Sequence, residues 1–92
     1  FRRKNPYYQY TIAKKAYGDG LYEQSAKYFK TAIRLKDDEH LFYYGLALAY
    51  DKLGNMKKAE KYIKKAQFHA FSEEKKMYYD QVRRAMEDGD IN

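Results

Sequence analysis

The chain has 92 residues, enough for one compact domain and too few for a second core of useful size, so residues 1–92 are interpreted as a single domain. Hydrophobic residues make up 45% and charged residues 35%, with five glycines and one proline, a balance that predicts an ordered chain. The absence of cysteine excludes disulfides, thiolate nucleophiles and cysteine-bound metals, and the net charge of +6 favours anionic partners.

Apolar residues recur along the chain at spacings of three and four, and no segment alternates as a strand would. This pattern predicts five helices, at residues 6–18, 21–35, 39–53, 56–70 and 73–88. Asn5 and Pro6 cap and open the first helix. Gly54 and Asn55 end the third helix and begin the fourth, in a turn so tight that the two helices form an antiparallel hairpin. Ser72 supplies an N-cap for the fifth helix.

The chain nearly repeats itself at an offset of 34 residues. Identical residues occupy both positions of seven pairs: Tyr10 and Tyr44, Ala13 and Ala47, Gly20 and Gly54, Lys27 and Lys61, Tyr28 and Tyr62, Lys30 and Lys64, and Ala32 and Ala66. A fixed period of this size indicates stacked supersecondary units, which usually display a surface for partners.

With this period the chain resembles the tetratricopeptide repeat, a 34-residue helix-turn-helix unit. Residues 40–73 carry its pattern of bulky, small and aromatic positions, at Tyr43, Leu46, Ala47, Tyr50, Gly54, Ala59, Tyr62, Ile63 and Ala66. Residues 6–39 form a degenerate copy, in which the family prefers tryptophan, tyrosine and alanine at the positions of Gln9, Ala16 and Ser25. The resemblance implies an all-α, right-handed antiparallel helix-hairpin solenoid of two repeats, with residues 74–89 as a C-terminal capping helix or partial third repeat.

The resemblance also implies a noncatalytic protein–protein interaction module that binds a peptide or partner helix in a concave groove. The residues expected to line that groove are Tyr7, Tyr10, Lys14, Tyr17, Leu41, Tyr44, Leu48, Asp51 and Lys52, with Tyr79 and Arg83 closing its far end. Tyrosine gives a large contact area at low entropic cost, so the expected partner carries apolar or aromatic anchors and acidic flanks. The alternative is that these rings only cover neighbouring helices.

Two other functions stay open. The chain could associate with itself through the edges of so short a stack, as a structural scaffold. Alternatively, a basic face could bind nucleic acid or anionic lipid through Lys57, Lys58, Lys61, Lys64 and Lys65, extended by Lys27 and Lys30. No aromatic residue is interleaved in that face for base stacking, which argues against nucleic acid.

An enzyme, a metal site and a cofactor are not expected. His40 and His69 are the two histidines, and neither has a partner at the spacing of a metal ligand or a catalytic triad. No apolar run is long enough to span a membrane. The chain begins at Phe1 without a methionine, so it is interpreted as part of a longer protein whose compartment is open, with the cytoplasm as the default.

Overall fold

The computed structural model describes residues 4–89. This part of the chain contains five helices and no strand: α1 (Pro6–Gly18), α2 (Tyr22–Leu35), α3 (His40–Lys52), α4 (Met56–His69) and α5 (Glu73–Asp88). Each predicted helix end lies within one residue of the observed end. The all-α prediction is confirmed.

The helices begin where side chains can satisfy the free backbone N–H groups of the first turn. Asn5, Asn55 and Ser72 each accept a hydrogen bond from such an N–H, at 2.9, 3.1 and 3.1 Å. At the start of α3 the Glu39 carboxylate takes this role, accepting from the N–H of Leu41 at 3.3 Å. These local contacts explain why the boundaries could be predicted from the sequence.

The turns after α1 and α3 are built alike. Gly20 and Gly54 have φ values of +79° and +78°, a left-handed conformation that glycine adopts without steric cost. In each turn the N–H of the next residue, Leu21 or Asn55, donates to a helical carbonyl at 2.9 Å and closes the helix end. The two hairpins therefore repeat one local structure at the offset seen in the sequence.

Each helix packs mainly against its neighbours in the chain. The closest pairs are α1 with α2 and α3 with α4, which form two hairpins. Contacts between α2 and α3 join the two hairpins to each other, and contacts between α4 and α5 attach the last helix. Successive neighbour contacts of this kind make a helical repeat solenoid. The exact division into repeats at 6–39 and 40–73, with 74–89 as a cap, stays a prediction.

The core is centred on α3, which lies between α2 and α4. Phe42, Leu46, Ala47 and Ala49 are completely buried, so α3 has more than one covered face. Small residues mark the helix crossings, where they let two backbones approach closely. The completely buried alanines outside α3 are Ala13, Ala32, Ala59 and Ala66.

Ser25 occupies a core position at which the repeat pattern prefers alanine. Its side chain is completely buried, and its hydroxyl donates to the carbonyl of Ala13 at 2.8 Å. A buried hydroxyl without a partner would cost about 1–3 kcal/mol. The hydrogen bond removes that cost and ties α2 to α1, which explains how the degenerate first hairpin keeps its packing.

Candidate protein-binding groove

An open cavity of about 270 Å³ lies between α1 and α3. These two helices make few direct contacts, and α2 forms the floor of the gap between them. We call this cavity the tyrosine groove. The residues that line it are Tyr10, Lys14, Tyr17, Gly18, Phe29, Leu41, Tyr44, Gly45 and Leu48.

The repeat explains how the walls of the tyrosine groove are paired. Tyr10 on α1 stands opposite its equivalent Tyr44 on α3, and Lys14 stands opposite Leu48, both at the 34-residue offset. Positions three and four apart share one face of a helix, so each wall presents a continuous row of side chains. The structure thus brings together six of the predicted residues: Tyr10, Lys14, Tyr17, Leu41, Tyr44 and Leu48.

The floor of the groove depends on a close contact that the sequence did not indicate. The ring of Phe29 lies directly against the backbone of Gly45, and a Cβ atom at that position would overlap the ring. Phe29 itself is almost completely buried. Because position 45 is a glycine, the Phe29 ring of α2 can lie between α1 and α3.

Tyr10 and Lys14 form a cation-bearing wall. The Tyr10 ring is held by the core, with centroid distances of 5.9 Å to Phe29 and 5.3 Å to Phe42. The Lys14 ammonium lies 4.6 Å from the centroid of the Tyr10 ring. Among residues 4–89, no carboxylate forms an ion pair with Lys14. This leaves an uncompensated positive charge at the edge of an apolar cavity.

On the opposite wall, Tyr44 is fixed by α5. Its hydroxyl lies 2.9 Å from the hydroxyl of Tyr78, and its ring packs at a centroid distance of 5.1 Å from that of Tyr79. Burial, followed by the hydrogen bond to Tyr78, raises the pKa of Tyr44. The groove therefore has a neutral, positioned hydroxyl on this side.

Comparison with protein families supports a repeat in the hairpin that supplies the α3 wall of the tyrosine groove. A family model described as the tetratricopeptide repeat matches residues 41–67, which span nearly all of the α3–α4 hairpin. The match covers less than half of the chain and supports its resemblance to the tetratricopeptide repeat. Tetratricopeptide repeats generally form noncatalytic protein–protein interaction modules. Searches of curated proteins and of solved structures gave no significant match.

Three predicted residues, Tyr7, Asp51 and Lys52, do not line the tyrosine groove. The Tyr7 hydroxyl donates to the Glu39 carboxylate at 2.5 Å, and this hydrogen bond raises the pKa of Tyr7. Asp51 and Lys52 lie at the end of α3. Burial raises the pKa of Asp51. The pKa of Tyr17 is raised by burial, by Tyr22 and by the negative charge of Asp51. Asp51 therefore lies near the Tyr17 end of the groove.

Tyr79 and Arg83 do not close the groove, and this part of the prediction was wrong. Tyr79 is only 1% exposed and belongs to the core, because the buried face of α5 is formed by Tyr79, Val82 and Met86. Arg83 lies in a separate cleft between α4 and α5, paired with Asp80 at 2.8 Å. The neighbouring Tyr78 is exposed, and its hydroxyl contacts that of Tyr44 on the groove wall without lining the cavity.

His40 has a role that its position in the sequence did not reveal. It is the first residue of α3, and its Nδ1 lies 2.6 Å from the Tyr79 hydroxyl on α5. Burial lowers the pKa of His40, opposed by the charge of Glu39. The hydrogen bond joins residues 39 positions apart, so no local pattern could have indicated it.

Aromatic rings lie beside the predicted basic face of α4. The rings of Tyr43, Tyr50 and Tyr62 form a near-parallel stack, with Tyr62 in the middle at 6.4 Å from Tyr43 and 5.8 Å from Tyr50. Lysines of α4 cover each ring. The expectation that no aromatic residue accompanies these lysines was wrong: Tyr62 lies between Lys61 and Lys64 in the sequence, and the other two rings come from α3. None of the described helices is long and apolar enough to cross a membrane.

Proposed function

We propose that the tyrosine groove binds a peptide or helix of another protein and that the chain is a noncatalytic interaction module. The partner inserts an apolar or aromatic side chain into the cavity and places a carboxylate beside Lys14. The observation that carries this proposal is the cavity itself, which combines aromatic walls with one uncompensated ammonium group.

The size of the cavity supports a side chain as its occupant. Its volume of about 270 Å³ is below the range of about 300–1,000 Å³ typical of sites for drug-sized ligands and cofactors. The aromatic walls are suited to contact with an apolar group, since rigid rings lose little entropy on binding. A single anchor flanked by extended or helical backbone fits this geometry.

The chemistry of the lining supports binding without catalysis. No histidine, aspartate or glutamate among residues 4–89 lines the cavity. Burial raises the pKa of Tyr17 and of Tyr44, which moves both hydroxyls further from titration near neutral pH. Groups suited to proton transfer would instead have pKa values near the working pH.

The proposal is tested by selecting peptides from a random displayed library and measuring their affinity by fluorescence anisotropy. We expect enrichment of peptides with an aromatic or large aliphatic residue next to an acidic one. Lys14→Glu should weaken binding of these peptides by about 10-fold or more, since it replaces attraction by repulsion. Lys15→Glu is the matched control, because Lys15 lies outside the groove and pairs with Asp19.

A second variant tests the cavity independently of charge. Gly18 lines the groove, has open space where a Cβ would stand and lacks a left-handed φ, so Gly18→Leu can enter the cavity without backbone strain. We expect Gly18→Leu to block peptide binding while the helical circular dichroism spectrum is retained. Selected peptides that bind both Lys14→Glu and Gly18→Leu with full affinity would contradict the proposal.

A further inference from the structure

The outer face of α4 carries a concentrated and poorly compensated positive charge. We call Lys57, Lys58, Lys61, Lys64 and Lys65 the lysine stripe, and all five are exposed. α4 contains one acidic residue, Glu60, which lies 3.9 Å from Lys64, the outer limit of an ion pair. Five lysines and one glutamate leave this helix with a formal charge of +4.

The tyrosine stack accompanies the lysine stripe, and its two outer rings are buried while the middle ring, Tyr62, is partly exposed. Lys58, Lys61 and Lys65 lie 5.3, 5.3 and 6.0 Å from the centroids of Tyr50, Tyr62 and Tyr43. Tyr43 and Tyr50 are buried. Stacking of nucleic-acid bases requires accessible rings, whereas phosphate groups need only the ammonium groups. The tyrosine stack is therefore unsuited to base stacking, while the lysines can still contact phosphates.

Two phenylalanines at the C-terminal end of the lysine stripe are almost fully exposed. Phe68 is 79% exposed and Phe71 is 92% exposed. Phe68 follows Lys57, Lys61 and Lys64 at spacings of four, three and four, so it lies on the same face of α4. Phe71 lies in the turn between α4 and α5. Exposed aromatic rings beside a row of lysines are characteristic of surfaces that lie in the lipid headgroup region.

We propose that this face of α4 docks the chain on an anionic lipid bilayer. The lysine stripe contacts the phosphate and carboxylate groups of the lipid headgroups, and Phe68 and Phe71 enter the boundary between headgroups and acyl chains. Each lysine near an anionic membrane surface strengthens binding about fivefold. The docked chain keeps the tyrosine groove free, because that groove is lined by residues of α1, α2 and α3.

The charge contribution is tested by sedimentation with vesicles of phosphatidylcholine, with and without about 30% phosphatidylserine. We expect binding to the mixed vesicles only, and a loss of about 100-fold in the triple variant Lys57→Glu, Lys61→Glu, Lys64→Glu. The matched control is the triple variant Lys15→Glu, Lys75→Glu, Lys76→Glu. Each lysine-to-glutamate substitution lowers the net charge by two, so both triple variants have a net charge of 0 in place of +6. Equal losses in both variants would overturn the proposal, because net charge alone would then explain binding.

Insertion is tested with a single-tryptophan reporter. The chain contains no tryptophan. In Phe68→Trp we expect the fluorescence emission to shift to shorter wavelength with the mixed vesicles and to be quenched by brominated acyl chains. In the double variant Phe68→Ser, Phe71→Ser we expect binding to fall by about 10-fold or more, as two apolar side chains are removed from the interface. Binding without an emission shift, or without dependence on the phenylalanines, would overturn insertion.

Nucleic acid is the other class of anionic partner, and the same variants separate it from lipid. A 20-nucleotide single-stranded DNA is titrated against the wild type and the phenylalanine double variant in the vesicle buffer. We expect weak binding that disappears at physiological salt. Tight DNA binding by the wild type at physiological salt would overturn the proposal: if it is retained in the double variant, the lysine stripe binds phosphate backbones, and if it is lost, bases stack on the two phenylalanines.

Discussion

At the scale of single residues, the contact between Gly45 and Phe29 sets both the packing and the groove floor. In a helix, Gly→Ala usually stabilises by up to about 1 kcal/mol. Here the added Cβ would overlap a buried ring, and overpacking costs about 1–3 kcal/mol. We expect Gly45→Ala to lower the free energy of unfolding by about 1–2 kcal/mol, measured by urea denaturation.

The chain offers a matched control for that substitution. Gly18 also lies in a helix, but no atom lies within 4 Å of a Cβ placed there. Gly18→Ala should leave stability unchanged or raise it slightly, because only the gain in helix propensity applies. Combining Gly45→Ala with Phe29→Leu should recover part of the loss. If Gly45→Ala is as stable as Gly18→Ala, the ring does not depend on the glycine.

At the scale of helices, the sequence predicted the features that local contacts decide and missed those that packing between helices decides. The caps at Asn5 and Asn55 determine the helix starts, because each cap bonds within its own first turn. The groove wall containing Tyr10 and Tyr44 was also predictable, since a 34-residue repeat places equivalent residues side by side. The burial of Tyr79 could not be predicted. Whether Tyr78 or Tyr79 is buried depends on the angle at which α5 packs on the α3–α4 hairpin.

We expect the stability of the fold to depend on pH through His40, whose Nδ1 contacts the Tyr79 hydroxyl of α5. Burial lowers the pKa of His40 below its ordinary value of 6.5, so just below pH 6.5 the unfolded chain binds a proton that the folded chain does not. Stability is therefore full above pH 6.5 and falls as the pH decreases, by at most about 1.4 kcal/mol per pH unit for one proton. The charge of Glu39 opposes this effect, and that of Lys75 adds to it.

The His40 contribution is isolated by urea unfolding at pH 7.5 and pH 5.5. The difference between these two stabilities should shrink in His40→Gln and should persist in the control variant His69→Gln. An unchanged difference in His40→Gln would mean that other groups carry the pH dependence. Tyr79→Phe tests the same hydrogen bond from the α5 side, since it removes the hydroxyl that contacts the His40 imidazole.

At the scale of the whole molecule, one chain carries two separate surfaces. The tyrosine groove is lined by α1, α2 and α3, and the lysine stripe lies on the outer face of α4. Both surfaces could be predicted from the sequence. The exposure of Phe68 and Phe71 beside the lysines could not, because it depends on which residues the fold leaves uncovered. Together the two surfaces would hold a protein partner close to an anionic membrane.

This arrangement also bears on self-association, which is the alternative function for so short a stack. A specific dimer buries about 1,200–2,000 Å² in total. The exposed phenylalanines would be its natural anchors, yet pairing Phe68 and Phe71 with those of a second copy would bring two lysine stripes together. We therefore expect light scattering to give the mass of one chain, 11.1 kDa, across a wide concentration range at low and physiological salt. A stable dimer that strengthens as salt screens the lysines would instead favour a self-assembling scaffold.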